Sequence, residues 1–249
     1  MDINSNIPAV NIDDYFVKYL PFLSEIRKRL FFVLAVFLIA NVLGFIYYQK
    51  IVTFALSIFN LKGINIVFTS PFQFLTLAFS SSLLVATIVS FPLILFQVLS
   101  FLKPALRPRE YTIILLLLPI SLVLFIAGFG FGLVTMRYLI TWFYQSSTEL
   151  QIGNVLDVSK LFSQVLLIST IMGIAFQFPI IVTILVRLKV ITYHVLEKRR
   201  LWAHSALFIF AAILPPADLL TTIIMFLPLA LLFEVTLLLN RWVLKSHLL

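Results

Sequence analysis

"GINIVFTSPFQFLTLAFSSSLLVATIVSFPLILFQVLSFL", residues 63–102, runs for forty residues without a charge. A hydrocarbon core about 30 Å thick is crossed by roughly 20 apolar helical residues, so this run is long enough for two spans. It reads as one. "TSPFQF" (69–74) places a Ser-Pro break near its start, where proline removes a helix donor, and a single long helix follows. The helix count for the chain rests on that decision. The other uncharged runs are 31–49, 111–136, 161–186, 201–217 and 219–240, the last interrupted only by Glu234. Together they predict an all-α, polytopic membrane protein of six transmembrane helices.

The basic residues test the count, because loops on the cytoplasmic side are rich in Lys and Arg. Six spans place fourteen of the eighteen on one side: Lys18, Arg27, Lys28, Arg29, Lys103, Arg107, Arg109, Arg187, Lys189, Lys198, Arg199, Arg200, Arg241 and Lys245. Lys50, Lys62, Arg137 and Lys160 fall on the other. Both termini are therefore expected on the cytoplasmic side or its equivalent. Pro92, Pro119, Pro179 and Pro228 lie in helices 2, 3, 4 and 6 and predict bent helices in a concave bundle. The fifth run has seventeen residues, and the sixth has fifteen before Glu234. Both helices are expected to be short, and the bilayer around them thinned.

Composition agrees. Of 249 residues, 62% are hydrophobic and 11% charged, with a mean hydropathy of +1.12, which belongs in a bilayer and not in a soluble core. The absence of cysteine excludes disulfides, thiolate nucleophiles and cysteine-held metals. The net charge of +8 sits at the ends of apolar runs, not in a stripe with interleaved aromatics, so it speaks for membrane orientation and against nucleic acid. Asp2, Asp13 and Asp14, with no early apolar core, are unlike a cleaved signal peptide, and the N-terminus is expected to remain on the mature protein. "AGFGFG" (127–132) lacks the strand that a phosphate loop needs and reads as close helix packing. Neither repeats nor linkers divide the chain, so residues 1–249 form one membrane domain, with 1–21 a cytoplasmic or stromal segment and 241–249 a tail.

A few polar residues need an account. Glu25 stands four before Arg29 in "FLSEIRKRL" (22–30), the favourable order for a helical ion pair. Glu110 opens the third helix, where the dipole favours an acid. Both also stand at one membrane depth, where two carboxylates could receive a ligand with paired guanidinium groups. Glu234 lies well inside an apolar helix, a functional position unless it snorkels to the nearby surface. Gln177 either packs helix 4 or meets a polar partner helix. Asp218, after Pro215 and Pro216, reads as a helix N-cap. His204 reads as packing, with proton shuttling the sharper alternative.

Taken in order, these motifs resemble the TatC family, the multispanning receptor subunit of twin-arginine protein translocases, from about Phe22 to Glu234. "FLSEIRKRL" is similar to the family's His-Leu-x-Glu-Leu-Arg-x-Arg-Leu, with Phe22 for His, and "TSPFQFL" to Ser-Pro-x-Glu-x-Phe, with Gln73 for Glu. "FPLILFQVLSFLKPALRPRE" keeps Pro92, Gln97, Phe101, Pro104, Leu106 and Glu110 of the family's third motif, and "MGIAFQFPIIV" keeps Gly173, Phe176 and Pro179, with Gln177 where some members carry Glu. The "LPPADLLTT" segment carries an extra residue and has Thr222 where bacterial members have Gln, a pattern closer to plastid-encoded algal members.

The resemblance implies a non-enzymatic receptor, without cofactor or metal, that binds twin-arginine signal peptides and passes folded proteins across a membrane on the proton motive force. It implies signal-peptide contacts at Glu25, Glu110, Arg27, Leu30, Pro92 and Phe101. TatA- and TatB-type single-span partners would meet Gln177, Phe176, Pro179, Leu207, Asp218 and Glu234, within a complex that holds more than one copy of the chain. The membrane would be a thylakoid for a plastid-encoded chain and otherwise a bacterial inner membrane. A six-helix secondary transporter or channel is the alternative, and it would need matched halves or several acids at mid-depth, where Glu234 stands nearly alone. No hydrolase motif is present.

Overall fold

The computed structural model describes residues 12–59, 66–67, 70, 72–102, 108–149, 156–188 and 190–245. The long apolar runs become helices because, inside a bilayer, each backbone polar group must be satisfied within its own segment. α1 (Ile12–Ile46) is followed, after a one-residue turn at Tyr47, by the shorter α2 (Tyr48–Phe59). The forty-residue run forms one helix, α3 (Gln73–Leu102), as its Ser-Pro break predicts. α4 (Pro108–Glu149) is the longest, at 42 residues. It continues past Met136 through Arg137, so the basic residue expected at a loop lies in a helix instead.

The fourth apolar run is one span divided into two helices. α5 (Val158–Ala175) and α6 (Phe178–Arg187) are separated at Phe176–Gln177. Pro179 sits in the first turn of α6, where its missing N–H costs least, and its ring would collide with the Ala175 carbonyl in a continuous helix. Pro179 thus interrupts its span, whereas Pro92, Pro119 and Pro228 lie inside theirs. Beyond it lie α7 (Tyr193–Lys198), α8 (Arg200–Ile213) and α9 (Leu219–Lys245).

By length and composition, residues 23–46, 73–101, 117–147, 159–187 and 219–241 can each cross a membrane. α8, with 14 residues, is about 21 Å long and short, as expected. The expectation of a short last helix is corrected: α9 has 27 residues and runs straight through Glu234. A single charge with a partner does not end a helix whose apolar positions resume beyond it. Among the described residues one feature departs from all-α: Ile66–Val67 (β1) pairs in parallel with Leu156–Asp157 (β2) over two residues.

Helix contact is made by small residues. A Cβ on Gly132 would lie 2.5 Å from Ser169 Cα, one on Gly128 2.6 Å from the Met172 carbonyl oxygen, and one on Gly173 2.9 Å from the Phe125 ring. α4 and α5 therefore approach at backbone distance, which is the packing read from "AGFGFG". Gly130, on another face of α4, has nothing within 4 Å. α1 meets α3 in the same way, Gly44 lying against Ser82. The main core draws Met136 and Leu139 from α4, Ile168 and Met172 from α5, Ala211 from α8 and Met225 and Leu229 from α9.

Candidate functional site

Consecutive long helices run antiparallel, which gathers residues 23–30, 97–102, 187–200 and 234–241 at one basic end. There Arg29, on α1, donates from Nε (3.1 Å) and a terminal nitrogen (2.6 Å) to Glu25 Oε1. Its other terminal nitrogen reaches α3 and donates to the Gln97 side-chain oxygen (2.9 Å) and carbonyl (3.2 Å). The Glu25 side chain remains 45% exposed. Beside this cluster is a groove of about 460 Å³ between α1 and α3, walled by Ile26, Leu30, Val33, Ile94, Val98 and Phe101, with Arg29 and Gln97 as its polar members.

Of the expected peptide-contact residues, Glu25, Leu30 and Phe101 are thus brought together. Arg27 is exposed on the same helix, and Pro92 is half-buried inside α3 but does not line the groove. Glu110 stands in the first turn of α4, where the dipole favours it, and its side chain lies outside the described residues.

The residues expected to meet partner helices do not form one surface. Gln177 is 4% exposed, and its polar atoms are engaged inside the chain: its Nε2 donates to the carbonyls of Ser121 (3.1 Å) and Gly173 (3.4 Å), and its Oε1 accepts from the Ser121 hydroxyl. Gln177 thus bonds across to α4 at the α5–α6 interruption. Phe176 is buried and stacks with Phe131, Leu207 packs against the core, and Pro179 is half-buried.

Asp218 caps α9. Its carboxylate accepts from the Thr221 N–H (2.7 Å) and hydroxyl (2.6 Å), as its position after two prolines predicts. Ala217 takes the left-handed conformation (φ 56°) that turns the chain into this cap. Glu234 lies sixteen residues further on, about 24 Å away along α9.

Glu234 has partners that the sequence reading missed. It accepts from Arg200 at the start of α8, and its Oε1 is 3.6 Å from His204 Nε2. His204 also bonds the Arg200 carbonyl through Nδ1 (2.9 Å) and meets the Phe233 ring edge-on, with centroids 5.1 Å apart. The signal was present in the numbering: Arg200 and Glu234 both lie seventeen residues from Ala217, and a helical hairpin opposes residues equidistant from its turn.

These features define a multi-pass helical membrane protein with a groove and an arginine-held carboxylate at its basic end. Comparison with known proteins makes this specific. The model of the TatC family, Sec-independent protein translocase proteins, matches residues 21–228, and the chain belongs to that family. TatCy of Bacillus subtilis (strain 168) is 27% identical over 224 residues, 88% of this chain and 87% of that one. TatC of Aquifex aeolicus (strain VF5) is 32% identical, covering 88% and 92%. A crystal structure of the twin arginine translocase receptor TatC in DDM superposes with a TM-score of 0.77 at 31% identity, over 87% of this chain and 98% of that one. The chain is accordingly an integral membrane component of a protein translocase and not an enzyme.

Proposed function

We propose that the chain is the receptor of a twin-arginine translocase, and that Glu25 takes a guanidinium group of the signal peptide while the adjoining α1–α3 groove takes apolar residues of the same peptide. The observation that carries this reading is that Glu25 already holds a guanidinium, that of Arg29, at the rim of an apolar groove. A planar fork suits a carboxylate in a way that an ammonium point charge does not. Glu110 would provide the second carboxylate from the neighbouring first turn of α4, with Arg27 repelling generic cations.

On this reading α8 is the sixth membrane helix, both termini face the cytoplasm or stroma, and single-span TatA- and TatB-type partners join several copies of the receptor. The half-exposed Glu234 and its α8 partners would offer such helices a polar contact at the basic end. Transport of folded proteins would draw on the proton motive force across a bacterial inner membrane or, for a plastid-encoded chain, a thylakoid. The test is photo-cross-linking of a twin-arginine peptide and its twin-lysine variant to the wild type, Glu25→Ala and Glu110→Ala. Cross-links confined to the twin-arginine peptide and lost in both variants are expected; equal labelling throughout would remove the assignment.

A further inference from the structure

We infer that Arg29 is a built-in occupant of the ligand carboxylate, so that a signal peptide binds by exchanging one guanidinium for another at Glu25. This rests on the reading of Glu25 as a ligand contact. Arg27 and Lys28 project into solvent, but the Arg29 side chain is only 23% exposed and joins two helices. Two of its nitrogens converge on Glu25 Oε1, and the third holds the side chain and carbonyl oxygens of Gln97. An incoming guanidinium that forks onto both carboxylate oxygens needs the one that Arg29 occupies.

Gln97 makes the exchange possible. Once released from Glu25, Arg29 stays anchored on α3 through the terminal nitrogen that already holds Gln97, while Nε and the other terminal nitrogen turn to water at the mouth of the groove. Because Arg29 both occupies Oε1 and neutralises the Glu25 charge, it competes with guanidinium and ammonium ligands alike. Competition of this kind lowers the affinity for arginine and lysine ligands by one common factor and leaves their ratio unchanged. Its effect is a threshold: the weaker lysine ligand is pushed below useful occupancy while the arginine ligand stays above it. Specificity then comes from the geometry of Glu25, and stringency from Arg29.

The experiment is a titration of the full-length receptor in lipid nanodiscs with fluorescent twin-arginine and twin-lysine peptides. Arg29→Lys keeps the charge but replaces the fork with a point charge, and should tighten both peptides by about threefold, the weight of a half-exposed ion pair. Arg29→Met should tighten both further. Arg29→Lys alone carries the test if the methionine variant fails to fold. In a Glu25→Gln background the gain should vanish, since the competitor then has nothing to occupy. Unchanged or weaker binding by Arg29→Lys, or a gain that persists without Glu25, would overturn the inference. Wild-type affinity in Glu25→Gln would instead remove the reading of Glu25 on which it rests. Weakened binding in Glu25→Gln with no gain from Arg29→Lys would leave that reading standing and defeat only the exchange.

Discussion

Gln177 shows how one buried amide is used. Its partners, Ser121 and Gly173, lie on α4 and at the end of α5, so the amide ties the interrupted span to its neighbour where backbone continuity is lost. Removing one partner of a buried pair costs more than removing both, because the survivor keeps its desolvation penalty without its bond. Ser121→Ala should therefore destabilise by about 1 kcal/mol in detergent unfolding, within the modest range of intramembrane hydrogen bonds. Ser121→Ala with Gln177→Leu should recover part of that loss. If the double variant is as stable as the wild type yet loses cross-links to a single-span partner, Gln177 acts on the partner as well as on its own chain. Glu234 differs, since it is half-exposed and paired across the α8–α9 hairpin. Arg200→Ala and Glu234→Ala should each cost up to about 1 kcal/mol, and the charge-swapped pair, Arg200→Glu with Glu234→Arg, should restore most of it in a double-mutant cycle.

Among the elements, the α4–α5 pair depends most on residue size. Gly128 and Gly132 have no room for a Cβ, while Gly130, two residues from each, has open space. Gly132→Val should push the helices apart and cost about 1–3 kcal/mol, whereas Gly130→Ala should be neutral or stabilising by up to about 1 kcal/mol, both read as thermal unfolding in one detergent. The packing itself was legible in "AGFGFG", as was the start of α3 just after the Ser70-Pro71 break and the Asp218 cap after two prolines, because each depends on local backbone chemistry. Pairings across helices were less so. Ser121 opposite Gln177 follows only from the antiparallel register in which Gly132 meets Ser169 and Gly128 meets Met172. Gln97 as a partner of Arg29 needs the relative rotation of α1 and α3, which composition does not specify. The continuation of α9 through Glu234 was hidden because a charge inside an apolar run looks like an end until its counter-charge on another helix is known.

Across the whole molecule, the unequal lengths of α8 and α9 would shape the membrane boundary if α8 is the sixth span. α8 begins at Arg200, level with Glu234, but α9 continues eleven residues beyond it to Lys245, about 16 Å further along its axis. There Asn240 bonds Thr183 of α6 (3.3 Å), and α9 also contacts the short α7. The space above α8 therefore lies beside a polar triad of Arg200, His204 and Glu234, and a hydrocarbon slab about 30 Å thick would overhang α8 by roughly 9 Å. Mismatch of that size costs a fraction of a kcal/mol per Å, and lipid thinning together with water at the triad would relieve it. The chain has no native cysteine, so single introduced cysteines can carry spin labels without background. Labels at Leu201 and Ile213, both exposed, should be accessible to a water-soluble relaxation agent at the two ends of α8, while a label at Leu38, midway along the lipid-facing surface of α1, should respond to oxygen alone. A label at Leu201 that responds like Leu38 would mean that the bilayer keeps its full thickness at α8 and that Arg200 and Glu234 meet in hydrocarbon.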